Sequence, residues 1–212
     1  MTIDVEPLKV QLRAVADHWN RLETELGQAM VLEEGYTRDQ LVDDLAALES
    51  GVTGVIEGVS EQERQAQLRD TLKTTLLGRF DQAKNKIKAQ FKSTPHAAAL
   101  PRKPEFTISR DKFLAPLDDL AEVWATLNRD TTLLPALRPM TIARGYTQAR
   151  FAADIAALRA TYNDLGTAAR ETKQRRAVRS SPLSGLAKRV TQYRSLAKSE
   201  LDPSEPLYKT IP

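Results

Sequence analysis

The 212-residue chain has no cysteine, only two histidines, nine glycines and 6% aromatic residues. Without thiols there is no disulfide framework, no thiolate metal site and no cysteine nucleophile. His18 and His96 leave little material for acid–base or triad chemistry, and both are expected at surface or boundary positions. The Glu-x-x-His pairs that a di-metal bundle needs are missing. No glycine-rich phosphate loop occurs either: Gly51, Gly54 and Gly58 fall inside a helical pattern, where they point to close approach of another helix. No apolar run approaches the roughly 20 residues that span a bilayer, and Asp4 and Glu6 interrupt the N-terminal stretch where a leader would be apolar. These absences lead to the expectation of a cytoplasmic, non-enzymatic protein with no catalytic residue, metal or cofactor, and with no membrane partner.

What the chain does have is self-similarity. Gly35-Tyr36-Thr37 recurs as Gly145-Tyr146-Thr147, and the same offset pairs Asp44 with Asp154, Leu76 with Leu186, Arg79 with Arg189, Gln82 with Gln192 and Lys88 with Lys198. Upstream a shorter offset pairs Leu12 with Leu117, Trp19 with Trp124 and Leu22 with Leu127, so the second copy carries extra residues in TTLLPALRP. The copies run over 1–105 and 106–212, with a proline-punctuated seam at HAAALPRKPEF.

Helical periodicity fills both copies. Leu8, Leu12, Val15, Trp19, Leu22, Leu26 and Ala29 step by four and three, as do Phe113, Leu117, Leu120, Trp124 and Leu127. A second stripe follows at Leu41, Leu45, Leu48, Val52, Val55 and Val59, matched by Phe151, Ile155, Leu158, Tyr162 and Leu165. A third runs through Leu68, Leu72, Leu76, Phe80, Ala83, Ile87 and Phe91, matched by Leu186, Val190, Tyr193, Ala197 and Leu201. Thr37 with Gln40 and Ser60 with Glu63 read as capping boxes opening the second and third helices. Pro116 should mark a first turn or kink, and Pro182 a break. The expected fold class is therefore all-α: a tandem duplication of an elongated three-helix bundle, 1–105 and 106–212, the two copies packed about a pseudo-twofold axis.

The formal net charge of +3 conceals segregation. Residues 1–61 hold 4 Lys and Arg against 13 Asp and Glu, whereas 62–105 and 170–212 each hold 10 against 4. The third helix of each copy is thus basic, and the run Arg170–Arg176 reads as a solvated linker. Two readings follow. In one, basic helices lie beside acidic ones, and the long apolar stripes assemble with a second copy or a protein partner. In the alternative, Arg79, Lys84, Lys88 and Lys92, with Arg189, Arg194 and Lys198, line up to track the phosphates of a nucleic acid or another polyanion. No aromatic residue is interleaved among them to stack bases. Tyr36 and Tyr146 are expected to fold over a bundle end, and Asp44 and Asp154 to serve the helix dipole.

Overall fold

Long stretches of Ala, Leu, Gln, Glu, Lys and Arg with few breakers favour long helices, and the computed structural model, which describes residues 4–212, is 78% helix and 2% strand. The helices are α1 (Val5–Leu26), α2 (Arg38–Gln90), α3 (Pro95–Ala98), α4 (Arg110–Arg129), α5 (Gln148–Ser180) and α6 (Leu183–Glu200). A two-residue antiparallel ribbon joins β1 (Thr141–Ile142) to β2 (Tyr146–Thr147) just before α5. Asp4 caps α1 by accepting from the Glu6 N–H at 3.3 Å, and Gly27, at φ 62°, ends it in the left-handed conformation. The periodic stripe of this helix therefore stops at Leu26, and Ala29 lies beyond it, exposed.

Several boundaries differ from the sequence expectation, the most extensive at Ser60. Thr37 and Gln40 do form the capping box that opens α2, the Thr37 N–H donating to Gln40 Oε1 at 2.8 Å and the Gln40 N–H to Thr37 Oγ1 at 3.4 Å. Ser60, however, caps nothing: α2 runs through it for 53 residues, so the expected second and third helices of 1–105 are one. The physical reason is local, since no proline or unsatisfied helix end lies between Val59 and Leu72 to force a break. In 148–200 the break at Pro182 is present and separates α5 from α6. Pro116 lies well inside α4 rather than in its first turn. Arg170–Arg176, expected as a linker, is helical and belongs to α5.

The chain divides into two compact units, and each draws on both 1–105 and 106–212. The first consists of the described residues through Ser60 together with Ala169–Pro212. Its core joins Leu8, Leu12, Val15, Trp19 and Leu22 of α1 to Leu41, Leu45 and Leu48 of α2 and to Leu186, Val190, Tyr193 and Ala197 of α6. The Trp19 and Tyr193 rings stack at 5.0 Å between centroids. The second unit is Glu61–Ala168. There Leu76, Phe80, Ala83 and Ile87 of α2 meet Phe113, Leu117, Leu120, Trp124 and Leu127 of α4 and Phe151, Ile155 and Leu158 of α5. A fully buried Leu, Val, Ile or Phe contributes about 1.5–3 kcal/mol, so the basic stretches carrying Leu76, Phe80 and Ile87 and Leu186 and Val190 are built into these cores rather than appended to them.

Within the first unit α2 and α5 come close where the glycines lie. A Cβ on Gly58 would sit 2.6 Å from Thr172 Oγ1, whereas one on Gly51 or Gly54 would meet only the stems of Arg179 at 3.6 Å or Arg175 at 3.9 Å. The expectation of close helix approach thus holds most tightly at Gly58, beside the buried Thr172. Alanine substitutions should separate the three. Gly51→Ala and Gly54→Ala are expected to stabilise by up to about 1 kcal/mol through helix propensity, and Gly58→Ala to destabilise by about 1–2 kcal/mol through overpacking against a β-branched neighbour. Urea unfolding followed by helical circular dichroism gives the ranking; equal shifts for all three variants would contradict the close contact.

Candidate functional site

The two Gly-Tyr-Thr turns each gather a tyrosine, an aspartate and an arginine. Before α2, Glu34 and Gly35 both take positive φ, 64° and 76°, and the Tyr36 hydroxyl donates to Asp44 Oδ2 at 2.7 Å. The guanidinium of Arg189, from α6, lies 4.6 Å above the Tyr36 ring. It also donates to Glu33 O at 2.9 Å, Glu34 Oε2 at 2.7 Å and Gln192 Oε1 at 2.9 Å. Before α5, Arg144 and Gly145 take φ 59° and 72°, and the Tyr146 hydroxyl donates to Asp154 Oδ2 at 2.5 Å. Arg79, from α2, lies 4.5 Å above the Tyr146 ring and donates to Gln82 Oε1 at 2.9 Å. In each unit an arginine of the basic helix thus clamps the tyrosine of the turn, a cation–π contact of about 0.5–2 kcal/mol depending on desolvation.

These clamps fasten; they do not activate. Burial, then the hydrogen bond to the neighbouring aspartate, pushes both the Tyr36 and the Tyr146 phenol well above the ordinary tyrosine range. Each hydroxyl stays protonated at neutral pH and holds its carboxylate. Asp44 and Asp154 therefore act as acceptors for a tyrosine, a role beyond the helix-dipole one expected of them. The Arg189 bond holds Glu34 below the ordinary carboxylate range.

The seven basic residues singled out in the sequence fall into three groups. Arg79 and Arg189 are the clamp arginines. Lys84 donates to the Pro101 carbonyl at 2.6 Å, with burial lowering its pKa, and Arg194 Nε donates to the Pro212 carbonyl. Lys88, Lys92 and Lys198 are exposed, and among the described residues none of the three forms an ion pair. Lys88 and Lys92 belong to the second unit and Lys198 to the first. In the first unit basic and acidic segments do meet, through Arg189 with Glu34, Lys188 with Glu33 at 3.3 Å and Arg175 with Glu57 at 3.8 Å.

His18 corrects an expectation. It is fully buried, not at the surface: Nε2 lies 2.9 Å from the Leu207 carbonyl and Nδ1 lies 2.5 Å from the Tyr193 hydroxyl. A carbonyl only accepts, so Nε2 carries a hydrogen and donates it to Leu207, while Nδ1 faces the Tyr193 hydroxyl. His18 thereby ties α1, α6 and the C-terminal segment together. Its spacing, three residues after Val15 and four before Leu22, was the available signal, because that places it on the buried stripe. His96 is half-buried and lies 2.8 Å from Asp130 Oδ2. Among the described residues no group of three His, Asp or Glu is placed to hold a metal ion, and no helix is long and apolar enough to cross a membrane.

One groove in the first unit, about 460 Å³, runs between α2 and α5 over Ala47, Gly51 and Gly54 on one side and Gln174, Arg175 and Val178 on the other. Arg175 Nη1 closes across it to the Gly54 carbonyl at 2.7 Å. Compared with protein-family models, with curated proteins and with solved structures, the chain matches none.

Proposed function

We propose that the chain is a non-enzymatic helical interaction protein, built by tandem duplication, that assembles with a second copy of itself by exchanging its basic helices. The observation that carries this reading is the composition of the two units. Residues 61–90 complete the core around α4 and α5, while α6 completes the core around α1 and the start of α2. Positions 110 apart serve alike: Leu76 and Leu186, Phe80 and Val190, Ala83 and Tyr193, and Ile87 and Ala197 are all buried, and Arg79 and Arg189 make matching clamps. Each unit therefore accepts its third helix from the other half of the sequence. A helix accepted across halves of one chain is equally acceptable from a second chain, which is the physical basis of domain swapping.

Separate polypeptides of 1–105 and 106–212 test the reading. Each alone lacks a third helix of matching origin and should be poorly ordered or self-paired; mixed, they should form a one-to-one complex with the helical content of the intact chain. Refolding the intact chain at high concentration should yield dimers by light scattering. Two halves that fold as stable monomers and ignore each other, together with an intact chain that stays monomeric after concentrated refolding, would overturn it.

A further inference from the structure

A cleft of about 330 Å³ inside the second unit gathers more positive charge than its own residues neutralise. It is lined by Arg69, Asp70 and Lys73 of α2, by the stretch from Phe106 to Arg110 that opens α4, and by Tyr162 of α5. Lys73 is only 5% exposed. Its ammonium donates to the Phe106 carbonyl and lies 4.3 Å from the Phe106 ring centre and 4.5 Å from that of Phe113. Among the described residues no carboxylate forms an ion pair with it, and burial lowers its pKa. Asp70, the one carboxylate of the lining, is held by Arg69 Nε at 2.8 Å, leaving the two terminal nitrogens of that guanidinium outside the bond. Arg110 donates to Asn163 Oδ1 at 3.0 Å and lies 5.5 Å over the Tyr162 ring, neither partner being charged. Three cations thus share one anion.

A buried ammonium whose nearest carboxylate, Asp70, is already hydrogen-bonded to a second cation, Arg69, is costly to keep charged, and an incoming anion relieves that cost. We propose that this cleft binds a phosphate monoester, the dianionic phosphoryl group taking the two uncompensated positive charges and the organic part lying against Phe106 and Tyr162. A dianion with three acceptor oxygens matches the net charge of the lining, and guanidinium forks suit its geometry; a carboxylate supplies half the charge. The unit as a whole favours anion approach, since residues 61–168 hold 17 Lys and Arg against 12 Asp and Glu.

Titration calorimetry on the full chain with phenyl phosphate, and with benzoate as the monoanionic control, decides the matter. Phenyl phosphate is expected to bind saturably, benzoate at least about tenfold more weakly, and phenyl phosphate itself to weaken severalfold as the pH falls through about 6, where the dianion takes up a proton and becomes a monoanion. Lys73→Met keeps the apolar stem, removes the charge and should weaken phenyl phosphate at least about tenfold. Should that variant fail to fold, Arg110→Gln, at an exposed helix start, provides the same readout. Absence of saturable binding to the unaltered protein, equal affinity for benzoate, or unchanged binding in the variants would each overturn the proposal.

Discussion

Glu63→Pro is expected to lower the stability of the chain by about 3 kcal/mol or more, while Glu63→Ala leaves it within about 0.5 kcal/mol. Glu63 is exposed on α2, so the two variants differ in backbone chemistry and hardly at all in lost side-chain contacts. In a continuous α2 the Glu63 N–H donates to the carbonyl four residues back, at Val59, and a proline ring would both delete that bond and collide with that carbonyl. Were a new helix to begin after Ser60, position 63 would fall in its first turn, where the N–H has no carbonyl partner within the helix. Proline would then cost no more than a capping bond, about 1 kcal/mol. Denaturant unfolding of the two variants, read by helical circular dichroism, distinguishes a 53-residue helix from two helices in sequence. A loss near that of a single cap would restore the break at Ser60.

That boundary illustrates how far the sequence could be read. The apolar stripes identified helices and their buried faces because burial follows the same period: Leu12, Trp19, Leu117 and Trp124 are all fully buried. Leu68, the first residue of the third stripe, is instead exposed, since helical periodicity marks a face without marking where a neighbour begins to cover it. Ser-x-x-Glu is a capping signature only when something else ends the preceding helix, and between Val59 and Leu72 nothing does. The composition of the units was not legible either. A stripe such as Leu76, Phe80, Ala83 and Ile87 specifies that a helix wants apolar neighbours, and it fits the α4–α5 surface as well as any other of like shape. The clamps were legible in part: Tyr36 with Tyr146, Asp44 with Asp154 and Arg79 with Arg189 all match across the sequence, but nothing in linear spacing joins residues 79 and 146 or 36 and 189.

Trp124→Ala should remove about 3–5 kcal/mol, and it should do so in a pattern that no division of the chain at residue 105 accounts for. Trp124 is fully buried in the second unit, packs 6.0 Å from the Phe151 ring centre and donates from Nε1 to the Met140 carbonyl at 3.0 Å. Truncation opens a large cavity and leaves that buried carbonyl without its donor. Because the core it supports consists of α4, the first half of α5 and residues 61–90 of α2, amide hydrogen exchange should accelerate in those segments together. It should change little in α1 and α6, although α6 lies in the same half of the sequence as Trp124 and residues 61–90 do not. Trp19→Ala removes the ring stacked on Tyr193 and should produce the complementary result, with α1 and α6 losing protection and residues 61–90 keeping it. If protection is lost instead along 106–212 in the first variant and along 1–105 in the second, each basic helix is held by its own half of the chain. The exchange that underlies the proposed assembly then fails with it.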